Sequence, residues 1–323
     1  MNARFIEFDI MKGIGIMLMI IGHLTPYATN IIFSFHMPLF FIVSGYFYKQ
    51  TDIKSGLIND AKRLIIPYIV TSSIVITYYL ILSIATSTDW VTKWIIATLF
   101  GAGVPSSASS ILPNMPMIGA IWFLLALFWC RNIYNIIFVS TSNKNKTFII
   151  CTILSLSAIF IHNKSTSLPL SINQGFSALI FYIVGIKIKD CGGFNCINKT
   201  IIALFILLWI IAFIFSSLSM VNCTYKMLPL DILGAIGGTI VIYYLSIFIK
   251  NIKYVSLFFA FVGINSLAFL CIHLVDLDAP TSWIFGINSK FKVIYDIIFC
   301  FFVVFCFSKF ELTKKIYSIR NIK

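Results

Sequence analysis

Four ionisable side chains lie within the apolar runs of residues 9–48: Asp9, Lys12, His23 and His36. An ionisable group at membrane depth costs at least ~2.5 kcal/mol, so each is a functional candidate. Lys12 and His23 stand 11 positions apart. At roughly 100° per residue that is about three helical turns plus 20°, which puts both on one face of a helix, about 16 Å apart along its axis. Asp9 precedes Lys12 by three positions, a spacing at which helical side chains meet. A turn at Pro26–Asn30 sends the chain back and returns His36 to a depth near that of His23. The chemistry open to this set is proton transfer beside a fixed cation. A neutral imidazole can take the proton of a hydroxyl that attacks a thioester carbonyl. His36, in FHMPLFF, can do the same work or orient the acceptor, and Pro38 loosens the backbone bonding beside it. Plainer readings stand next to these: His23 bonded to a backbone carbonyl at a helix end, and Lys12 snorkelling while paired with Asp9 or Glu7.

Side chains of this kind need helices that cross a bilayer. Of the 323 residues, 59% are hydrophobic and 11% charged, and the mean hydropathy is +0.97. A soluble domain carries about 25% charged residues. The composition therefore predicts an all-α, polytopic membrane protein with about ten transmembrane helices. The apolar runs fall near 8–25, 31–48, 64–86, 118–138, 147–162, 174–188, 199–219, 228–249, 254–275 and 291–309. Residues 89–103 hold tryptophans and few charges and are expected along the interface. The uncharged stretch 104–117, rich in Pro and Ser, is expected to rest on the membrane or cover a cavity. No linker, repeat or second soluble domain stands out, so one membrane-embedded domain over 1–323 is expected.

The net charge of +13 does not read as a nucleic-acid surface, because the basic residues cluster between apolar runs rather than among aromatics. With the N-terminus inside, 18 of the 24 Lys and Arg fall on the cytoplasmic side and 5 on the other, with Lys12 in the membrane. That asymmetry predicts an even number of spans in the cell (inner) membrane, both termini cytoplasmic. Most of the eight cysteines lie in apolar runs and act as small hydrophobes. Cys191 and Cys196 share a loop assigned to the reducing cytoplasm, where neither a disulfide nor a zinc site with too few ligands is expected. Glu7 and Asp9 rule out the basic start of a cleaved signal.

The Lys-x10-His spacing, the following SFHMPLFFIVSGYFY, IWFLLALF at 121–128 and GINSLAFLCIH at 263–273 together resemble the acyltransferase 3 family. Members are integral membrane O-acyltransferases that modify surface glycans and related acceptors. The resemblance implies that His23 is the catalytic histidine and that Lys12 fills the basic position of the motif. It also places Asp9 and His36 on further family positions. Many members carry an extra esterase-like domain; this chain is expected to act without one.

Lys62 and Arg63, just before the third run, can steer the phosphates of an acyl-CoA, although they equally satisfy the charge rule. Arg131 has the same ambiguity. Trp122 is a packing or a substrate-stacking residue, and Ser44–Gly45 allows close helix approach. Asn265, Ser266 and His273 are expected to line the cavity. Asp276 and Asp278 are placed near the acceptor, and His162 in a solvated loop. The leading expectation is an O-acetyltransferase using cytoplasmic acetyl-CoA, with no metal, and a surface polysaccharide or its lipid-linked precursor as acceptor. The alternative is a proton-coupled transporter or flippase. Against it, the sequence shows no paired broken helices in matching halves. A membrane anchor or sensor partner, a third class, would need no buried charge cluster.

Overall fold

The computed structural model describes residues 5–26, 29–86, 90–106, 112–162, 168–279, 286, 288 and 291–320. Arg4, Lys164, Lys290 and Lys323 of the charge pattern lie outside those residues, as do positions 27–28 of the first turn and 107–111 of the 104–117 stretch.

The chain folds as α1 (Ile6–Leu24), α2 (Thr29–Phe33), α3 (His36–Tyr46), α4 (Ile53–Asp60), α5 (Ile66–Thr86), α6 (Val91–Phe100), α7 (Trp122–Thr141) and α8 (Lys144–His162). It continues with α9 (Ile172–Ser177), α10 (Leu179–Asp190), α11 (Lys199–Phe215), α12 (Leu228–Lys250), α13 (Lys253–Ile264), α14 (Ser266–Asp278), α15 (Lys292–Phe307) and α16 (Glu311–Ile316). Two strands of two residues, β1 (Leu218–Ser219) and β2 (Thr224–Tyr225), pair antiparallel between α11 and α12.

Among the described residues, five helical stretches are long and apolar enough to cross a membrane, or up to seven if each of two bent pairs is one span. The count of ten is therefore not confirmed among the described residues, and the reason lies in particular runs. The run at 174–188 belongs to a pair bent by 45° at Ala178, and the run at 254–275 is bent by 75° at Asn265. The helix in the 199–219 run stops at Phe215, and α11 and α15 have 17 and 16 residues. At 1.5 Å per residue both fall short of a bilayer core of about 30 Å. Helix α1 is long enough but carries Glu7, Asp9 and Lys12 in its first two turns. The sequence, read for broken helices paired in matching halves, gave no sign of these two bends. Helix α6, with ten residues, is too short to cross; it buries Trp94, Ala97 and Phe100 and leaves Leu99 exposed.

The distribution of polarity is that of a protein solvated by lipid. Ile81, Ile153, Leu204 and Phe302 stand exposed on the outside, whereas Asp9, His36, His273 and Asp296 are buried. With lipid outside, helices gain nothing by burying apolar surface and must be held by close packing. Two reciprocal glycine contacts do this. On α1 and α13, Gly13 faces the carbonyl of Phe259 while Gly263 faces the carbonyl of Asp9. On α3 and α10, Gly45 faces the carbonyl of Tyr182 while Gly185 faces that of Ile42. A Cβ at any of these positions would overlap backbone, so the helices could not keep this distance. Gly45 thus makes the close approach expected for Ser44–Gly45, and Ser44 has another use described below. Gly263→Val should push α13 off α1 at about 1–3 kcal/mol of overpacking and lower the unfolding midpoint in detergent. An unchanged midpoint would show that the interface has slack.

Candidate active site

The Lys12 end of α1 opens on a cavity of about 330 Å³. Four cations line it: Lys12, Arg63, Arg131 and Arg320. Lys12 Nζ pairs with Asp9 Oδ1 at 3.0 Å, as their spacing requires. Arg131 is held by two bonds: its Nε donates to Asp60 Oδ2 at 2.9 Å and its Nη1 to Ser44 Oγ at 3.2 Å. Arg63 lies in a π-helical turn, Ala61–Ile65, that links α4 to α5. Such turns recur at functional sites because the extra residue re-aims side chains. Arg63 reaches the cavity, whereas Lys62, its neighbour, is exposed and does not line it. Among the described residues neither Arg63 nor Arg320 makes an ion pair with a carboxylate.

Arg320 is brought in by the segment after α15. Tyr317 is buried, its ring stacks on Phe307 at 5.5 Å, and its hydroxyl lies 3.3 Å from Thr71 Oγ1. The Arg320 backbone is then clasped by Asn265: the Arg320 N–H donates to Asn265 Oδ1 at 2.8 Å, and Asn265 Nδ2 donates to the Arg320 carbonyl at 3.1 Å. Asn265 also bonds the Phe261 carbonyl at 3.0 Å, at the bend between α13 and α14. Its amide is therefore occupied in holding the chain, and Ser266 beside it is the residue that reaches the cavity. In the sequence Arg320 is one more basic residue near a terminus, with no spacing to single it out.

At the other end of α1, a chamber of about 90 Å³ is lined by His23, His36, Phe33 and Trp122, with the hairpin residues Ser219 and Val221 on the far wall. His23 Nδ1 lies 3.2 Å from His273 Nε2, with the two rings nearly parallel. His273 Nδ1 lies 2.8 Å from Asp296 Oδ2, and both residues are fully buried. The donors in this chain can be assigned. With both rings neutral, the carboxylate accepts, so His273 carries its proton on Nδ1 and offers a lone pair at Nε2. His23 must then donate from Nδ1, which leaves its Nε2 unprotonated. The second imidazole is fixed in the same tautomer, because His36 Nδ1 donates to the Ile32 carbonyl at 3.0 Å. Phe33 lies between the two, its ring 5.9 Å from that of His23 and 5.1 Å from that of His36.

His273 therefore stands behind His23 and does not border the chamber, and Asp276 and Asp278 do not border it either. Asp296 was not singled out in the sequence. The signal was available, since it is a carboxylate inside an apolar run of α15, but nothing in the spacing ties it to His273. The two cavities share Met19, Met37 and Leu270, so a wall of flexible apolar side chains separates the cations from the imidazoles. Met19 lies between Lys12 and His23 on α1. Among the described residues, no three His, Cys, Asp or Glu side chains are grouped to hold a metal ion.

An apolar exterior around an ionisable interior makes this an integral membrane protein. Its family follows from comparison: the acyltransferase 3 family model, described as an acyltransferase domain, matches residues 5–309, and the chain belongs to that family. Nodulation protein NolL of Sinorhizobium fredii (strain NBRC 101917 / NGR234) is 37% identical over 84 residues, covering 20% of this chain and 23% of that protein. The chain thus matches less than a quarter of the length of this curated relative. No solved structure matches it. Arg320 lies beyond the matched residues.

Proposed function

We propose that this acyltransferase moves an acetyl group from cytoplasmic acetyl-CoA to a hydroxyl of a surface polysaccharide or of its lipid-linked precursor. The observation that carries the reading is the back-to-back arrangement of a cation-lined cavity and an imidazole chamber with only Met19, Met37 and Leu270 between them. A CoA thioester suits the first cavity. Its phosphates match Arg63, Arg131, Arg320 and Lys12, and its narrow arm suits the apolar walls of Ile16, Phe40 and Val43. The thioester then reaches the chamber between the shared side chains. There the acceptor oxygen attacks the carbonyl carbon and its proton passes to His23 Nε2. The C–S bond breaks, the thiolate takes that proton from His23, and an ester, free CoA and the neutral imidazole result. His273 and Asp296 keep Nδ1–H of His23 bonded as the imidazolium forms. His36 offers a second acceptor nitrogen to orient the hydroxyl. The 18-to-5 split of basic residues supports the inner membrane with both termini, and the cation-lined cavity, on the cytoplasmic side.

Arg63→Ala and Arg320→Ala should each raise the KM for acetyl-CoA by about tenfold, the scale of one charge-assisted bond, with kcat changed less. Unchanged donor KM values in both would place the phosphates elsewhere. The direct test of the reaction is mass spectrometry of surface glycans from cells with and without the gene, complemented by wild type or His23→Ala. One acetyl mass per repeat, restored only by wild type, is expected. No change in any glycan would favour transport. That alternative draws support from the two bent helix pairs, but at the second bend Asn265 spends its amide on the Arg320 and Phe261 backbone rather than facing a cavity.

A further inference from the structure

A third cavity, of about 180 Å³, adjoins the imidazole chamber and shares Phe33, Leu218 and Ser219 with it. It lies among α2, the end of α11, β1 and the first turn of α12. Its other walls include Asn30, Ser216, Ser217 and Asp231 on the polar side and Phe213 on the apolar side. Asp231 is buried; its Oδ2 accepts from the Met227 N–H at 2.9 Å, which fixes the carboxylate at the start of α12. Ser216 is buried as well, with its hydroxyl beside the Asp231 carboxylate, and the two present one polar patch to the cavity. Buried polar groups need hydrogen-bond partners, and those that border a cavity can take them from a ligand. Ser34, by contrast, is fully used, donating to the Ile31 carbonyl at 2.7 Å and accepting from Trp209 Nε1 at 2.9 Å. It forms a rigid wall.

We infer that this cavity is the acceptor subsite and takes one pyranose ring of the glycan. The inference rests on the acyltransferase reading above and adds to it where the acceptor binds. The chemistry of the lining is that of sugar recognition: the aromatic rings of Phe33 and Phe213 for the ring C–H groups, and a carboxylate, an amide and hydroxyls for the ring oxygens. Phe33, Leu218 and Ser219 form the border across which a ring hydroxyl enters the chamber of His23. The hairpin that carries this border is pinned from behind, Gln174 Nε2 donating to the Val221 carbonyl at 2.9 Å.

The test uses the full chain in lipid nanodiscs, with Ser217→Cys as a reporter and a panel of methyl hexopyranosides as probes. Maleimide labelling at position 217 is followed by peptide mass. At least one hexoside is expected to slow labelling, and Asp231→Asn, which keeps an acceptor oxygen for Met227, should raise the concentration required by about tenfold. Acetyl transfer to the same hexoside, in chains with Ser217 intact, should show a matching rise in acceptor KM with Asp231→Asn while the acetyl-CoA KM stays put. Protection of position 217 without any transfer would uphold the subsite and remove the acyltransferase reading. Transfer without protection, or an acceptor KM unmoved by Asp231→Asn, would overturn the subsite. So would a panel that neither protects nor accepts.

Discussion

His23→Ala is expected to slow acyl transfer by about 10²–10⁴-fold, the usual contribution of a positioned general base, and to leave the acetyl-CoA KM unchanged. The split between the two constants follows from the geometry. His23 lines the small chamber, whereas the cations that suit the donor line the other cavity, and Met19 lies between them. His36→Ala should have the smaller effect, because the other nitrogen of His36 is bound to a backbone carbonyl with no buried carboxylate behind it. Steady-state kinetics on purified protein separates the cases. A wild-type kcat in His23→Ala would remove this residue from the chemistry. A larger loss in His36→Ala than in His23→Ala would exchange their roles.

Asp296→Asn should cost almost as much, although residue 296 touches neither cavity. The carboxylate sets the direction of the chain: it takes the proton on His273 Nδ1, so His273 Nε2 accepts from His23 and leaves the outer nitrogen of His23 free. An asparagine can turn its NH₂ toward His273 Nδ1, which reverses both tautomers and puts a proton where the base should be. It can instead turn its oxygen there, but the NH₂ then occupies the position of Asp296 Oδ1, which has no hydrogen-bond partner. Burying that unpaired donor costs about 1–3 kcal/mol. In either orientation the negative charge that balances an imidazolium is gone. A loss of about 10²-fold or more in kcat is expected. If the three residues act as one unit, the double variant with His23→Ala should be no slower than His23→Ala alone. Full activity of Asp296→Asn, or losses that multiply, would make the buried pair structural.

Local spacing carried the legible part of the site. The pairing of Asp9 with Lys12 needs only a helix. So does the shared face of Lys12 and His23, which border consecutive cavities along α1. The return of His36 needs only a turn. What spacing cannot carry is contact between distant helices. His273 looked like a lining residue and stands behind His23 instead; Asn265 clasps backbone; Arg63 lines the cavity and Lys62, one position before it, does not. Asp296 and Arg320 were invisible as partners because 23 positions separate the first from His273 and 55 separate the second from Asn265. The count of ten spans goes unconfirmed for a related reason. Hydropathy registers apolar runs, and the bends at Ala178 and Asn265 leave it unaltered.

The clasp between Gly263 and the Asp9 carbonyl also bears on how such a chain is made. Helix α1 leaves the ribosome some 250 residues before its partner α13 exists, and Arg320 follows later still. Until then a helix bearing Asp9 and Lys12 must wait in or beside the membrane with its close-packing face uncovered. Contacts this remote in sequence are formed late and slowly. Biogenesis, more than the stability of the finished bundle, is where substitutions on the glycine face of α1 should first be felt, and an insertion factor that shelters polar helices would decide how many of these chains reach their final form.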